Sequence, residues 1–169
     1  HPFNDLRIIS GQGTAALELL SDQPGLDAIM TPVGGGGLLS GTALAASQSG
    51  VKVLGAEPAN ADDAARSLAA GKIIPVTAPD TIADGLRTSL GELTFAIIHA
   101  HVEQIVTVSE DAIVRAMRLI WERMNIIVEP SAAVPLAALI EHGVPDGITR
   151  AGIILSGGNV DLGHLPWQD

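Results

Sequence analysis

Apolar residues along the chain fall into short runs, separated by glycine and proline, that alternate between two periods. Leu26 to Val33 is a nearly continuous apolar run of strand length. Val51-Lys52-Val53-Leu54-Gly55-Ala56 is a second, ended at Glu57-Pro58, where proline is expected to stop the ladder. A helix-like run starts at Leu38 and closes near Ser49-Gly50, so these segments predict a parallel strand pair with a right-handed crossover. Gln104 to Val108 and Ala151 to Leu155 predict two further strands. Helices are predicted from a Thr14 cap to about Leu20, from Ala61 to Ala70 before Gly71, and from Leu93 to Ala100. Two more are predicted from Asp111 to Met124 after the Ser109 cap, and from Pro130 or Ser131 to about Glu141. Residues 1–9 carry no clear element, and residues 72–91, with Pro75, Pro79, Gly85 and Gly91, read as a long structured loop. The alternation predicts an α/β protein: a three-layer, open, mostly parallel sheet in one domain over residues 1–169, without repeats or linkers.

Composition agrees with a packed core, at 47% hydrophobic and 17% charged residues, but aromatics are only 2%, so Ala, Val, Leu and Ile must fill it. A net charge of −10 argues against nucleic-acid or anionic-membrane partners. The absence of cysteine excludes disulfides, thiolate metal sites and a cysteine nucleophile, and fits a reducing, cytoplasmic setting. No apolar run is long enough to span a bilayer. The only lysines are Lys52 and Lys72, which points a bound phosphate to backbone N–H groups rather than to a lysine cluster.

The chemistry concentrates at Gly34-Gly35-Gly36-Gly37, between the first strand and the next helix. Consecutive glycines admit positive φ and close backbone approach, and amides at a helix N-terminus bind anions. The dinucleotide fingerprint fails here, because the position needing its third glycine is Leu39 or Ser40. The Walker loop fails as well, because Gly41-Thr42 lacks the lysine. In a parallel sheet the tetraglycine loop, Glu57 to Asp63 and Ser156 to Asn159 would share the C-terminal edge, where ligands bind. A phosphate at the first and a hydroxyl at the third would hold opposite ends of one flat cofactor.

Five motifs then coincide in order. Val33-Gly34-Gly35-Gly36-Gly37-Leu38, Ala56-Glu57-Pro58-Ala59-Asn60-Ala61-Asp62-Asp63, Thr81-Ile82-Ala83-Asp84-Gly85, Val128-Glu129-Pro130-Ser131 and Leu155-Ser156-Gly157-Gly158-Asn159 resemble the serine racemase and serine/threonine dehydratase family. These are fold-type II enzymes using pyridoxal 5′-phosphate. The resemblance implies that the amides of Gly34, Gly35, Gly36, Gly37 and Leu38 hold the cofactor phosphate, and that the Ser156 hydroxyl faces the pyridine nitrogen. It implies a divalent-cation site, Mg²⁺, Mn²⁺ or Ca²⁺, on Glu57, the carbonyl of Ala61, and Asp63, oxygen donors that suit such ions. Asp84-Gly85 and Glu129 match motifs lining the cofactor pocket. His99 and His101 lie two apart, do not face each other on a helix, and read as surface or interface residues.

The family's lysine, covalently joined to the cofactor in a Ser-Phe-Lys-like motif, has no counterpart in this sequence, and neither has its Ser-Asn-His-Gly-like loop. The chain therefore resembles the C-terminal half of such an enzyme, comprising most of the large cofactor domain. The expected activity of the whole protein is deamination of L-threonine or L-serine to a 2-oxo acid, with possible serine racemase activity. The missing N-terminal half or a partner chain would complete a homo-oligomer, a dimer, around a small amino-acid substrate. A lysine used at the family's dimer-interface ATP site is replaced by Asn125, while Asn159 is retained. The alternatives are a non-catalytic module that binds phosphate or pyridoxal phosphate, and another fold-type II enzyme such as threonine synthase.

Overall fold

A computed structural model describes residues 1–168. Four strands, β1 (Ala28–Pro32), β2 (Lys52–Pro58), β3 (Gln104–Val108) and β4 (Ala151–Ile153), form one sheet in the order β3-β2-β1-β4. Every pairing is parallel, with Ala28 opposite Lys52 and Ala151, and Leu54 opposite Gln104. Helices α1 (Leu6–Asp22), α2 (Gly37–Ala46), α3 (Asp63–Ala70), α4 (Glu92–His101), α5 (Glu110–Met124) and α6 (Pro130–His142) cover the two faces.

Strand alternation explains the layers. Ala28 and Met30 of β1 and Leu54 and Ala56 of β2 point to one side, where Ala133, Ala137 and Ala138 of α6 and Ile113 and Met117 of α5 complete a core. Val53 and Ile105 point to the other side and meet Leu39 and Ala43 of α2, Ala64 of α3 and Ile98 of α4. Buried alanines substitute for the missing aromatics and let helices lie close on the sheet. The expected three-layer, parallel α/β architecture is therefore observed.

The element boundaries differ from the sequence reading in two places. The first helix begins at Leu6, not near Thr14, because the Asp5 carboxylate caps it by accepting from the Arg7 amide at 2.9 Å. Thr14 lies in mid-helix and donates its hydroxyl to the Gly11 carbonyl at 2.7 Å. Pro58 ends β2, as expected, but is itself still paired, in register with Val108 of edge strand β3.

Of the two glycines within α1, Gly13 has a location that explains its helical cost. Gly13 of α1 crosses Gly41 of α2 backbone to backbone; a Cβ on Gly13 would lie 2.7 Å from the Gly41 carbonyl oxygen. A Cβ on Gly41 would meet the Gly13 amide nitrogen at 2.5 Å. Gly11, in contrast, has open space around it. Gly41→Ala is accordingly expected to destabilise the protein by about 1–3 kcal/mol through overpacking, against the normal helical preference for alanine. Gly11→Ala is expected to stabilise it by about 0.5–1 kcal/mol. Urea denaturation of the two variants checks the pair, and a neutral or stabilising Gly41→Ala would contradict the contact.

Candidate functional site

Because all four strands run the same way, the loops after β1, β2 and β4 emerge on one edge of the sheet. The loop after β1 is the tetraglycine stretch, and each glycine has its own reason. A Cβ on Gly34 would press on the Gly85 carbonyl and the Leu86 Cα, both at 3.0 Å. A Cβ on Gly35 would fall within the Phe3 ring, and one on Gly37 would sit 3.1 Å from the Phe3 Cβ. Gly36, at φ 87°, is the left-handed residue that turns the chain into α2.

The loop is held from behind and left open in front. Thr94 of α4 donates its hydroxyl to the Gly35 carbonyl at 2.8 Å and accepts from the Gly91 amide at 2.9 Å. Ser40 of α2 donates to the Thr94 carbonyl at 3.2 Å. Among the described residues, no hydrogen-bond partner is found for the amides of Gly34, Gly35, Gly36, Gly37 and Leu38. Five free N–H groups at the N-terminus of α2 make an anion cradle without a lysine.

The cradle forms one wall of a cavity of about 460 Å³. Gly85, Leu86, Thr88, Glu129, Ser131 and Ser156 line the same cavity. The expected cofactor residues Gly34, Gly35, Gly36, Gly37, Leu38 and Ser156 thus border one space, as do the pocket-motif residues Gly85 and Glu129. Ser156 is exposed into it, a neutral hydroxyl able to donate or accept.

Two pairings shape the rest of the lining. The Glu129 amide donates to the Gly157 carbonyl at 3.1 Å, and the Glu129 carboxylate accepts from the Asn159 amide at 2.9 Å. Glu129 therefore fixes the turn that carries Ser156. The Ser131 hydroxyl accepts from the Gly85 amide at 3.2 Å, which ties the Asp84-Gly85 loop to the start of α6. Asp84 itself turns its carboxylate back to the Gly85 amide at 2.9 Å. The cavity also contains Pro2, Phe3, Ile8 and Gln12, which the sequence reading did not single out. Pro2 and Phe3 precede α1 and Ile8 and Gln12 lie within it, a helix whose start the sequence pattern places too late.

The loop after β2 stands apart from this cavity. Glu57 is 1% exposed, and its carboxylate accepts from the amides of Ala65 at 2.6 Å and Ala64 at 3.2 Å, capping α3 from the preceding strand. Asp63 is also buried, and its Oδ2 has no hydrogen-bond partner. Burial pushes the Glu57 carboxyl up to about 8 and the Asp63 carboxyl up to about 6. Among the described residues, no three of His, Cys, Asp and Glu gather as a ready metal cluster. His99 stacks on Phe95 with ring centroids 5.5 Å apart, and both His99 and His101 are exposed, as expected of surface residues. Asn125 takes the left-handed position that ends α5.

Residues 1–157 match the family described as pyridoxal-phosphate dependent enzyme. The chain is 50% identical over 170 residues to the beta-hydroxyaspartate dehydratase of Paracoccus denitrificans (strain Pd 1222), covering 99% of this chain and 54% of that protein. It is 53% identical over 171 residues to the serine racemase of Dictyostelium discoideum, covering 98% and 53% respectively. The crystal structure of a T.th. threonine deaminase superposes with a TM-score of 0.90 at 49% identity, over 95% of this chain and 61% of that one. The chain spans about half the length of the curated relatives it matches. With the match extending from residue 1 through the turn that carries Ser156, the chain belongs to the pyridoxal-phosphate dependent enzyme family.

Proposed function

We propose that this chain forms the cofactor-holding wall of a pyridoxal-phosphate ammonia-lyase that converts L-threonine or L-serine to a 2-oxo acid and ammonia. Serine racemization is the accompanying activity. The observation that carries the reading is the cradle of unpartnered amides, Gly34 to Leu38, lining one cavity together with Ser156. Hydroxyaspartate, serine and threonine, named in the relatives, share a β-hydroxyl that can be eliminated.

When bound, pyridoxal phosphate supplies an electron sink that acidifies the substrate Cα. The residues here hold and orient. The amides of Gly34 to Leu38 and the α2 N-terminus receive the phosphate. Ser156 meets the ring nitrogen with a neutral hydroxyl, which cannot keep that nitrogen protonated as a carboxylate would. Glu129 holds the turn beneath Ser156. Neither lysine lines the cavity, and the Lys52 ammonium pairs with Glu103 at 3.3 Å near the N-terminal end of β2. The covalent lysine, which also serves as base, is assigned to sequence outside residues 1–169. An oligomer, a dimer, and a cytoplasmic setting complete the reading.

Asp63, with its unpartnered buried oxygen, the Ala61 carbonyl and Glu57 are assigned a divalent cation. Two buried carboxyls with raised values fit a site that a positive charge would complete.

The first test supplies the intact protein with pyridoxal phosphate and L-threonine or L-serine. Ammonia and 2-oxo acid are the expected products. Cofactor binding without turnover of either substrate would favour a binding module, and turnover of other substrates alone would favour another enzyme of the family. In a second measurement, borohydride trapping of the bound cofactor and peptide mapping are expected to leave Lys52 and Lys72 unlabelled. Stoichiometric label on either would overturn the assignment of the lysine.

The cation has its own readout. With no cation, carboxyls whose values are raised on folding make stability fall as pH rises. For Asp63 the decline runs from about 3.8 to about 6, and for Glu57 from about 4.5 to about 8. Mg²⁺ or Mn²⁺ is expected to raise the melting temperature most at about pH 8 and above, where both groups are largely ionised. Asp63→Asn is expected to abolish that increment. An unchanged melting temperature, or an equal increment in Asp63→Asn, would count against the site.

A further inference from the structure

We propose that Asn4 is a positioning residue for the phosphate-binding loop and acts through the first turn of α4; the inference rests on the cofactor reading above. Helix α4 starts at Gly91, a residue with no side chain to cap it. The missing cap comes from Asn4, whose side-chain carbonyl accepts from the Leu93 amide at 2.9 Å across 89 positions of sequence. Gly91 leaves room for this, since a Cβ there would fall on the Asn4 side chain.

The next residue of that turn is Thr94, which clamps the Gly35 carbonyl at 2.8 Å. A peptide unit is planar, with its C=O and the following N–H pointing opposite ways. Fixing the Gly35 carbonyl toward α4 therefore fixes the Gly36 N–H on the other side, away from α4. The circuit closes through Phe3, the neighbour of Asn4, whose ring lies against Gly35 and whose Cβ lies against Gly37. Asn4, Leu93, Thr94, Gly35 and Phe3 form one ring of contacts around the cradle. Losing the Asn4 cap loosens the α4 turn, and with it the direction of the donors that a phosphate needs.

The test uses the intact protein and two ligands, pyridoxal phosphate and pyridoxal, titrated by fluorescence alongside melting temperature. Asn4→Ala is expected to weaken pyridoxal phosphate about five- to tenfold, the consequence of one lost cap, and to leave pyridoxal affinity unchanged. Asn4→Asp, which keeps the acceptor, is expected to restore phosphate-ligand affinity. Thr94→Val is expected to reproduce the loss and to add little in the Asn4→Ala background, because the two act in series. Equal weakening of both ligands, a lowered melting temperature with unchanged affinities, or failure of Asn4→Asp to rescue would overturn the role of Asn4. A wild-type protein that does not bind pyridoxal phosphate would instead overturn the cofactor reading itself.

Discussion

Space at the end of β1 is the constraint on which the rest depends. Residues 34–37 are crowded from several directions: Gly34 by the Gly85 loop, Gly35 and Gly37 by Phe3, and Gly36 by Leu90, Thr94 and Ile98. A Cβ would be crowded at all four positions, most severely at Gly35 and Gly36. The same crowding that opposes a Cβ brings the walls together and leaves the backbone amides as the groups facing the cavity. Packing and anion binding are thus one requirement, met by one residue type. In a chain with a net charge of −10, this lets a local positive field arise from amide dipoles and a helix end.

The parts of this arrangement that were legible in sequence are local ones. Short aliphatic runs marked the strands, and the Ser109 and Pro130 signals marked the starts of α5 and α6 to within a residue. Parallel topology followed from the crossover rule, and it alone places Gly34 and Ser156 on the same edge. What escaped was set by distant partners. The start of α1 lies at Leu6, ahead of Gly11 and Gly13, whose helical cost is offset at Gly13 by contact with α2. Asn4 caps a helix far along the chain, so no window of sequence could contain both ends of the bond. Pro58 is tolerated as the last residue of β2 because the pairing with β1 already ends at Ala56, opposite Pro32, so no ladder bond there needs its missing N–H.

Glu57 shows how one residue answers to two demands. As an acid in the motif after β2 it reads as a metal ligand; in the fold its carboxylate caps α3 through the amides of Ala64 and Ala65. A carboxylate at a helix N-terminus gains from the dipole, yet its burial opposes the charge more strongly and raises its pKa. Asp63, next to the same amides, adds like charge and an unpaired oxygen. The pair is a local store of unfavourable electrostatics at the start of α3, which the proposed cation would relieve.

The relatives carry three different activities, dehydratase, racemase and deaminase, at about equal identity to this chain. That spread is expected if the shared half holds the cofactor and the choice of reaction is made elsewhere. The cavity agrees with such a division. Its walls offer amides, a serine hydroxyl, a glutamate committed to the Asn159 amide, and apolar contacts from Phe3, Ile8 and Leu86, but no lysine. In the proposed reading, a wall so composed would set where the phosphate and the ring lie. It supplies little that would favour proton return over loss of a β-hydroxyl, so one set of glycine and serine positions can serve all three reactions without alteration.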